Sequence, residues 1–515
     1  MYGCIRSCNG TIASRILCIR PCTTNSLEEC SVNELVPRPF KDIPGPKALP
    51  LIGTTYKYFP FFGEYSFTRL HETGAKKLKK YGPLVREEMV PGVNLVWIFN
   101  PEDIAEMFKA EAGLNPDRRS HLALLKYRKD RSHVYNSGGL LPTNGPEWWR
   151  IRREFQKVLS KPRNVVGYLP DTDCVIKEFV DLCCKEKFND FLPILSRLFL
   201  ELTCLLAFDV RIHSFSNKER LPDSMSSKLI NAAYSTNSAI LKLDNGLRLW
   251  RFFETPLYRK MRKAQTYMEQ VALEMVSRKM VENHSNGSKA LVYQYLENPA
   301  LDVKDVIGMA CDMLLAGIDT TTYSTAFALY HLSRNQEAQN KLRNEARQLL
   351  VHPEDPITAD TLKNAYYTKA VIKETFRMNP ISVGIGRILQ NDTVLSGYLV
   401  PKGTVAVTQN QVICRLPEYF SEPDRFLPER WLRDAAKQDD KSSARYIHPY
   451  LLLPFGHGPR SCIARRFAEQ NMQVFLLQMC RQMICNWRSG ELGSRSLLIN
   501  KPDAPLIFDF HKTLT

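Results

Sequence analysis

The chain has 515 residues, of which 44% are hydrophobic, and its 70 Lys and Arg against 54 Asp and Glu leave a formal net charge of +16. Length alone suggests roughly three domains, but no Gly/Ser-rich linker, low-complexity block or internal repeat divides the sequence, which favours one large domain with a large core. The positive charge attracts nucleic acid, an anionic membrane or an acidic protein, and the lack of a basic run with interleaved aromatic residues argues against nucleic acid.

The first 27 residues contain no Asp or Glu, but they contain Arg6, Arg15 and Arg20 among several Ser and Thr. This composition is typical of a mitochondrial presequence, which we expect at residues 1–30, ahead of a folded domain at residues 40–515. A disordered basic tail is the alternative. No run of about 20 apolar residues follows, so we expect no membrane-spanning anchor.

Turn residues and helix caps predict the first elements of the folded domain. Pro-Gly-Pro at residues 44–46 gives an extended entry. Two strand-like runs, residues 84–90 and 94–99, flank a Pro-Gly turn and predict a β-hairpin. Asn100 then provides an N-cap, followed by a Pro and two acids in the first helical turn.

The rest of the chain predicts a mainly α fold with small β-sheets. Helical periodicity dominates up to about residue 380, a β-rich stretch with several prolines continues to Trp431, and a final helix is expected just after Cys462. The 14 cysteines show neither a metal-type CxxC pair nor a disulfide framework, so most are predicted to be free buried thiols in a reducing compartment.

Residues 303–334 predict one long core helix of roughly 50 Å. Its apolar stretch, residues 306–318, contains Asp312 and is too short to span a bilayer. Residues 316–321 read Ala-Gly-Ile-Asp-Thr-Thr, and because Gly and Thr are poor helix formers we expect the hydrogen-bond ladder to open there. A threonine hydroxyl bonded to a backbone carbonyl would hold such an opening.

Glu374 and Arg377 share one face of a predicted helix and can form an ion pair. Such a pair is usually solvated and contributes well under about 1 kcal/mol. Arg430, in a later segment, offers a second partner.

Residues 455–464 form a glycine-containing loop that ends close to Cys462. Glycines let such a loop approach a flat cofactor closely. A helix that begins after Cys462 would direct its positive end at the sulfur and stabilise a thiolate. Arg460 could neutralise a carboxylate of the same cofactor.

This loop resembles the haem-binding signature of the cytochrome P450 superfamily, Phe-x-x-Gly-x-Arg-x-Cys-x-Gly, at Phe455, Gly458, Arg460 and Cys462, with Ala464 in the place of the final Gly. The resemblance extends from about residue 44 onward. It implies the cytochrome P450 fold, haem b (iron protoporphyrin IX) with Cys462 as the ligand of the iron, and a monooxygenase reaction with O₂. A thiolate ligand pushes electron density onto iron and favours O–O cleavage.

The same resemblance assigns roles to residues elsewhere. It implies one buried structural network of Glu374, Arg377 and Arg430, and proton delivery by Thr320 with Asp319 as the relay from solvent. It also implies contacts with the haem propionates by Trp148, Arg152 and Arg387, for which Trp149 and Arg153 are out-of-register alternatives. Apolar positions in the substrate pocket are expected at Ala316, Ile381, Val383 and Ile385.

Within the superfamily the chain is similar to the mitochondrial branch. The matching basic residues there dock an acidic, adrenodoxin-like ferredoxin that receives electrons from an NADPH reductase; here they are Lys369, Lys373, Arg465 and Arg466. A solvated basic face is the alternative. The resemblance also implies peripheral association with the matrix side of the inner mitochondrial membrane.

Residues 138–145 and 464–470 are similar to the arthropod ecdysteroid 22-hydroxylases, which implies an apolar sterol substrate hydroxylated on its side chain at C-22. A mitochondrial cytochrome P450 that oxidises xenobiotics is the alternative. A haem-binding sensor without turnover needs neither Asp319 and Thr320 nor a docking face. A peroxide isomerase on the same fold would tend to lack Thr320.

Overall fold

The computed structural model describes residues 36–513 apart from 112, 114, 247, 283–289, 353 and 433–446. The chain divides into two units, Met1–Pro37 and Arg38–Thr515. All the helices and strands given below belong to the second unit. The predicted presequence, residues 1–30, lies outside the described residues.

The described residues form sixteen α-helices. In chain order these are α1 Leu70–Tyr81, α2 Pro101–Lys109, α3 Leu122–Lys129, α4 Gly145–Leu159, α5 Pro162–Gly167, α6 Leu169–Lys185, α7 Leu192–Phe208, α8 Met225–Asn245, α9 Pro256–Val281, α10 Leu291–Leu296, α11 Val303–Arg334, α12 Gln336–Leu349, α13 Ala359–Asn364, α14 Tyr366–Met378, α15 Asn410–Ile413 and α16 Arg465–Gln482.

The strands are short and form small sheets. They are β1 Leu84–Val90, β2 Val93–Ile98, β3 Gly386–Ile388, β4 Thr393–Leu395, β5 Tyr398–Val400, β6 Val405–Thr408, β7 Met483–Trp487, β8 Ser494–Ser496, β9 Asn500–Pro502 and β10 Phe508–Lys512. One sheet has the order β1-β2-β6-β3, in which β2 and β6 are parallel and the other pairs are antiparallel. The pairs β4–β5, β7–β10 and β8–β9 form two-stranded sheets.

Helix α11 connects the two largest hydrophobic cores. Its residues 306–318 pack in a core with α8 and α9, whereas residues 323–332 pack in another with α7 and α16. Asp302 begins the helix with a capping box that involves Asp305, and the 32 residues of α11 extend roughly 48 Å. The central position of α11 follows from this double burial.

The predicted N-terminal elements are confirmed. Strands β1 and β2 form the hairpin, with Leu84 opposite Ile98 in the register. The Asn100 side chain accepts a hydrogen bond from the Asp103 backbone N–H at 2.7 Å at the start of α2. Residues 44–46 lie tightly against β1, because a side chain at Gly45 would overlap the Arg86 backbone.

The last helix of the described residues, α16, begins just after Cys462 as expected, and four strands, β7–β10, follow it. These strands have three to five residues each, too few for a two-residue alternation to be read from the sequence. Helix α11 is continuous through residues 316–321, so the expected opening of its ladder is wrong. Among the described residues, no helix combines the length and apolar character that crossing a membrane requires.

Candidate active site

A cavity with about 1080 Å³ of atom-free space, part of it open to solvent, lies between α11 and the loop that carries Cys462. Helices α4, α7 and α16 complete its wall. The residues that line it include Cys462, Arg460, Trp148, Arg152, Ala316 and Thr320 from the predicted set.

Cys462 lies where the loop meets the N-terminus of α16. Its backbone N–H donates to the Phe455 carbonyl oxygen at 2.7 Å, which closes the loop. Its side chain is exposed and lines the cavity. Burial among the surrounding atoms raises the pKa of the thiol, while a hydrogen bond from the Ala464 backbone and the charge of Arg152 oppose that rise. A bound cation would offset the remaining free-energy cost of ionising the thiol.

Three arginines around the cavity have only neutral hydrogen-bond acceptors. Arg118 donates to the Leu141 carbonyl oxygen, and Arg152 donates to Gln156 Oε1 and the Ser461 carbonyl oxygen, both at 2.8 Å. Burial lowers the pKa of each of these two guanidiniums to about 10. Burying cations without an anion costs free energy, so the part of the cavity beside these arginines suits a ligand that carries negative charge.

Arg460 is the third of these arginines. Its guanidinium donates to the carbonyl oxygens of Pro116 and Thr143, and its Nη1 is buried without a hydrogen-bond partner. Burial, followed by the charge of Arg118, lowers its pKa to about 8. The guanidinium also lies 4.0 Å from the centre of the buried Trp148 ring. An anion beside Nη1 would satisfy both the free donor and the excess charge.

Other residues predicted to bind the cofactor occupy different surroundings. Arg387 lies outside the cavity lining, and its guanidinium pairs with Glu111 and donates to the His457 carbonyl oxygen. Phe455 also lies outside the lining; its ring contacts Phe376 with centres 5.4 Å apart. The cofactor contacts of Arg387 and Phe455 stay predictions. The out-of-register alternatives, Trp149 and Arg153, do not line the cavity either.

Thr320 and Gly317 are at the wall that α11 contributes. The Thr320 hydroxyl donates to the Ala316 carbonyl oxygen at 2.6 Å without breaking the helix. A side chain at Gly317 would lie 2.7 Å from Thr203 Oγ1 of α7. The close approach of α7 therefore explains the glycine that the sequence suggested was there to open the helix.

Asp319 points away from the cavity, towards α8. It is 2% exposed, and its Oδ2 accepts a hydrogen bond from Asn237 Nδ2 at 2.9 Å. Burial raises its pKa to about 6, although the hydrogen bonds from Asn237 and Tyr323 and the charge of Lys501 lower it. Asp319 thus changes protonation near neutral pH.

Glu374 lies at the centre of a buried network. Arg377 donates to both of its carboxylate oxygens at 2.8 and 2.9 Å, and Arg430 Nε donates at 3.1 Å. Trp431 Nε1 donates to it at 2.9 Å. Burial would raise the pKa of Glu374, but Arg377 and Arg430 outweigh that effect and lower it. Arg377 also donates to the Cys414 carbonyl oxygen, so the network joins α14 to the segment after α15.

The predicted docking residues lie at α14 and at the start of α16. Lys373 and Arg466 are exposed. Lys369 is less exposed than expected: its Nζ donates to the Lys363 carbonyl oxygen at 2.8 Å, and burial lowers its pKa. Arg465 pairs with Glu469 at 3.0 Å.

Sequence reasoning missed many residues of the cavity wall, among them the polar residues Arg118, Asp312 and Thr203. Arg118 has no neighbouring pattern that distinguishes it from a surface arginine. Asp312 was noted only as a break in an apolar stretch; its carboxylate pairs with Arg128 at 2.8 Å and accepts from the Leu140 N–H at 2.7 Å. Thr203 lies in a largely apolar helix, where nothing in the sequence distinguishes it. Conversely, the expected pocket residues Ile381, Val383 and Ile385 do not line this cavity.

A family model described as cytochrome P450 matches residues 43–483, most of the chain. The chain belongs to the cytochrome P450 family. The Drosophila melanogaster protein "Cytochrome P450 302a1, mitochondrial" is 51% identical to it over 480 residues, which are 92% of this chain and 95% of the relative. "Ecdysone 20-monooxygenase" of the same species is 30% identical over 455 residues, 85% of this chain and 82% of the relative. "Cytochrome P450 12b1, mitochondrial" of Drosophila acanthoptera is 30% identical over 469 residues, with shares of 87% and 85%.

As a cytochrome P450 the chain is a monooxygenase with haem b as its cofactor, and these relatives place it among the mitochondrial members. The residues around the cavity fit haem. Cys462 offers a sulfur ligand at one wall, and the free Arg460 Nη1 and the three uncompensated arginines suit the two haem carboxylates.

Proposed function

We propose that this cytochrome P450 hydroxylates a sterol, an ecdysteroid precursor, on its side chain at C-22 in ecdysteroid hormone synthesis, with electrons from a ferredoxin. The resemblance of residues 138–145 and 464–470 to ecdysteroid 22-hydroxylases carries this choice of reaction. It is supported by a relative that is named for a reaction of ecdysone and by the 51% identity to Cytochrome P450 302a1.

The cavity suits an apolar substrate. Its wall towards α7 and α11 is built largely from apolar side chains, among them Phe199, Leu202, Leu206, Met309 and Met313. An apolar surface gains roughly 25 cal/mol for each Å² that it buries, so a rigid sterol can be held by shape with few hydrogen bonds. Asp312 is charged, but Arg128 compensates it.

Each cofactor residue has a proposed task. When bound, haem activates O₂ with two electrons and allows one oxygen atom to enter a C–H bond. Cys462 ligates the iron as a thiolate. Arg460, Arg152 and Trp148 hold the haem carboxylates, and Arg118 joins them because its guanidinium lines the same cavity.

Thr320 and Asp319 are proposed to deliver protons. The Thr320 hydroxyl lies at the cavity wall, where it can pass a proton to the reaction centre, and Asp319 relays protons from solvent. A pKa near neutrality suits such a relay, because the group can both accept and release a proton. Glu374, Arg377 and Arg430 are proposed to hold the region of the Cys462 loop, to which the contact of Phe376 with Phe455 connects them.

An acidic, adrenodoxin-like ferredoxin, itself reduced by an NADPH reductase, is proposed to dock at Lys369, Lys373, Arg465 and Arg466. Exposed cations speed the encounter with an acidic partner. The exposed positions of Lys373 and Arg466 support this, whereas Lys369 contributes less charge at the surface.

The loop between α8 and α9 supports the proposed association with the matrix side of the inner membrane. Phe252 and Phe253 are 84% and 58% exposed. Arg248 and Arg251 precede them, and Glu254 follows them. Exposed aromatic rings beside cations favour an anionic lipid surface.

Substrate binding tests the proposal. Ecdysteroid precursors added to the purified haem protein should give the spectral shift that follows loss of the iron-bound water. With ferredoxin and reductase they should also give the C-22 hydroxylated product. If the precursors give neither the shift nor the product, while small xenobiotics give the shift and are oxidised, the protein is a mitochondrial cytochrome P450 that oxidises xenobiotics.

A further inference from the structure

Asp319 is surrounded by groups from three different elements. Asn237 on α8 donates from Nδ2 to Asp319 Oδ2 at 2.9 Å and reaches the Leu315 carbonyl oxygen at 3.5 Å. Tyr323, one turn further along α11, lies close enough to the same carboxyl group that the charge of Asp319, after burial, raises the pKa of its hydroxyl, while Tyr323 lowers the pKa of Asp319. Asn237 and Tyr323 are 4% and 3% exposed. Both donors are therefore neutral, buried and fixed by helix packing.

A polar route continues from these donors towards the surface. Tyr234, one turn before Asn237 on α8, lies close enough to Tyr323 to raise its pKa further, after burial and the charge of Asp319. Lys501 on β9 places its Nζ 4.4 Å from the centre of the Tyr234 ring, and its charge acts on Asp319. Tyr234 and Lys501 are both partly exposed.

The helical geometry of α11 places Thr320 and Asp319 on different sides of the helix. Consecutive helical residues point about 100° apart, so Thr320 borders the cavity while Asp319 is directed at α8. Residues i and i+4 share a face, which brings Tyr323 back to Asp319.

We propose that Asn237 and Tyr323 are positioning residues that hold Asp319 at the inner end of a proton route, which reaches solvent beside Tyr234 and Lys501. This inference rests on the proposed role of Asp319 in proton delivery. A carboxyl group buried without donors would stay protonated near neutral pH. The two donors favour its charged form and keep it able to exchange protons.

Variants of the two donors test the inference in the complete haem protein with ferredoxin and reductase. Asn237→Leu and Tyr323→Phe each remove a donor that favours the charged form, so the apparent pKa that Asp319 contributes to the pH profile of coupling should rise by about one pH unit. Product formed per NADPH should fall, and the solvent deuterium isotope effect should increase. The substrate is an ecdysteroid precursor or, if none binds, a small aliphatic xenobiotic that gives the spectral shift.

Two variants are matched controls. Asn245→Leu removes a half-buried amide at the C-terminal end of α8, which donates to the Leu241 carbonyl oxygen. Tyr330→Phe removes a hydroxyl two turns along α11 that contacts Arg334 and Leu492. Both should keep the wild-type pH profile. The carbon monoxide spectrum of the reduced protein reports folding, and if Asn237→Leu does not fold, Tyr323→Phe alone decides.

Asp319→Asn tests the proton role of Asp319 separately from the positioning role of Asn237 and Tyr323. If it uncouples the reaction while both donor variants keep the wild-type pH profile, the positioning role is wrong and the proton role of Asp319 stands. If Asp319→Asn leaves coupling unchanged, the proton role is wrong and the positioning inference with it.

Discussion

Thr320 and Thr322 make the same local hydrogen bond in different surroundings. Each hydroxyl donates to the carbonyl oxygen four residues earlier, at 2.6 and 2.7 Å. Thr320 lines the cavity, whereas Thr322 is fully buried outside the lining. The surroundings, and not the hydrogen bond, therefore distinguish the threonine that is proposed to be catalytic from a structural one.

Thr320→Ala should keep haem and substrate binding but divert electrons to peroxide, with a loss of coupling on the order of tenfold or more, because proton delivery by a positioned group is worth about 10²–10⁴ in rate. Product and peroxide per NADPH measure this. Thr322→Ala is the control and should stay coupled. Equal coupling in wild type and Thr320→Ala would contradict the proposed role.

Cys462 differs from the other described cysteines around it in its access to the cavity. Cys480, for example, is buried in a hydrophobic core, where burial raises its pKa to about 12. It does not line the cavity, so it cannot reach a metal that is bound there.

Cys462→Ala should abolish the red-shifted Soret band of the reduced carbon monoxide complex or abolish haem binding, because that band needs a thiolate ligand. Cys480→Ala should keep the band and lose only stability. A thiolate-type spectrum in Cys462→Ala would show that another residue ligates the iron.

At the scale of elements, α14 serves two surfaces at once. Its buried face carries Glu374 and Arg377, which bind the segment after α15. The same helix also carries Lys373, which is exposed. Because the buried ion pairs fix the orientation of the helix, they also fix the position of the basic surface.

Reversal of charge in Lys369→Glu/Lys373→Glu should weaken ferredoxin-supported turnover, most strongly at low ionic strength, where screening is least. The KM for ferredoxin should rise roughly tenfold or more while the haem spectrum stays unchanged, since two opposite charges enter an electrostatically steered interface. The control is Lys76→Glu/Lys80→Glu on α1, which has the same spacing. If ferredoxin-supported turnover is unchanged in the α14 variant at low salt, these lysines do not dock the ferredoxin and form only a solvated basic face.

At the scale of the whole molecule, the hydrophobic cores of the described residues begin well inside the chain. The two large cores draw their described residues from position 123 onward, and the smaller core at the sheet begins at Ile43. The boundaries, a presequence at residues 1–30 and a folded domain at residues 40–515, stay a prediction.

Removal of residues 1–30 should leave the spectrum and the thermal midpoint within about 2 °C of the full chain, because surface changes away from the core usually alter stability by less than about 0.5 kcal/mol. Residues 1–30 fused to a reporter should carry it into mitochondria. A fusion that stays in the cytosol or enters the endoplasmic reticulum would contradict the presequence.

The sequence by itself determined the features that local chemistry specifies. The hairpin, the Asn100 cap and the span of α11 follow from turn residues and from periodicity within a few residues. The ion pair of Glu374 and Arg377 follows from their spacing of three. The Cys462 loop is a contiguous motif, so no tertiary information was needed to find it.

Only the tertiary structure decided which distant residues meet. It brought Arg118 to the same cavity as Arg460, gave Arg387 a protein partner in Glu111, and joined Asn237 to Asp319. These partners are separated by tens to hundreds of positions, and their contacts depend on how helices pack. Burial then shifted the pKa values of Arg118, Arg460 and Asp319, because desolvation is a property of the packed interior and leaves no pattern in the sequence.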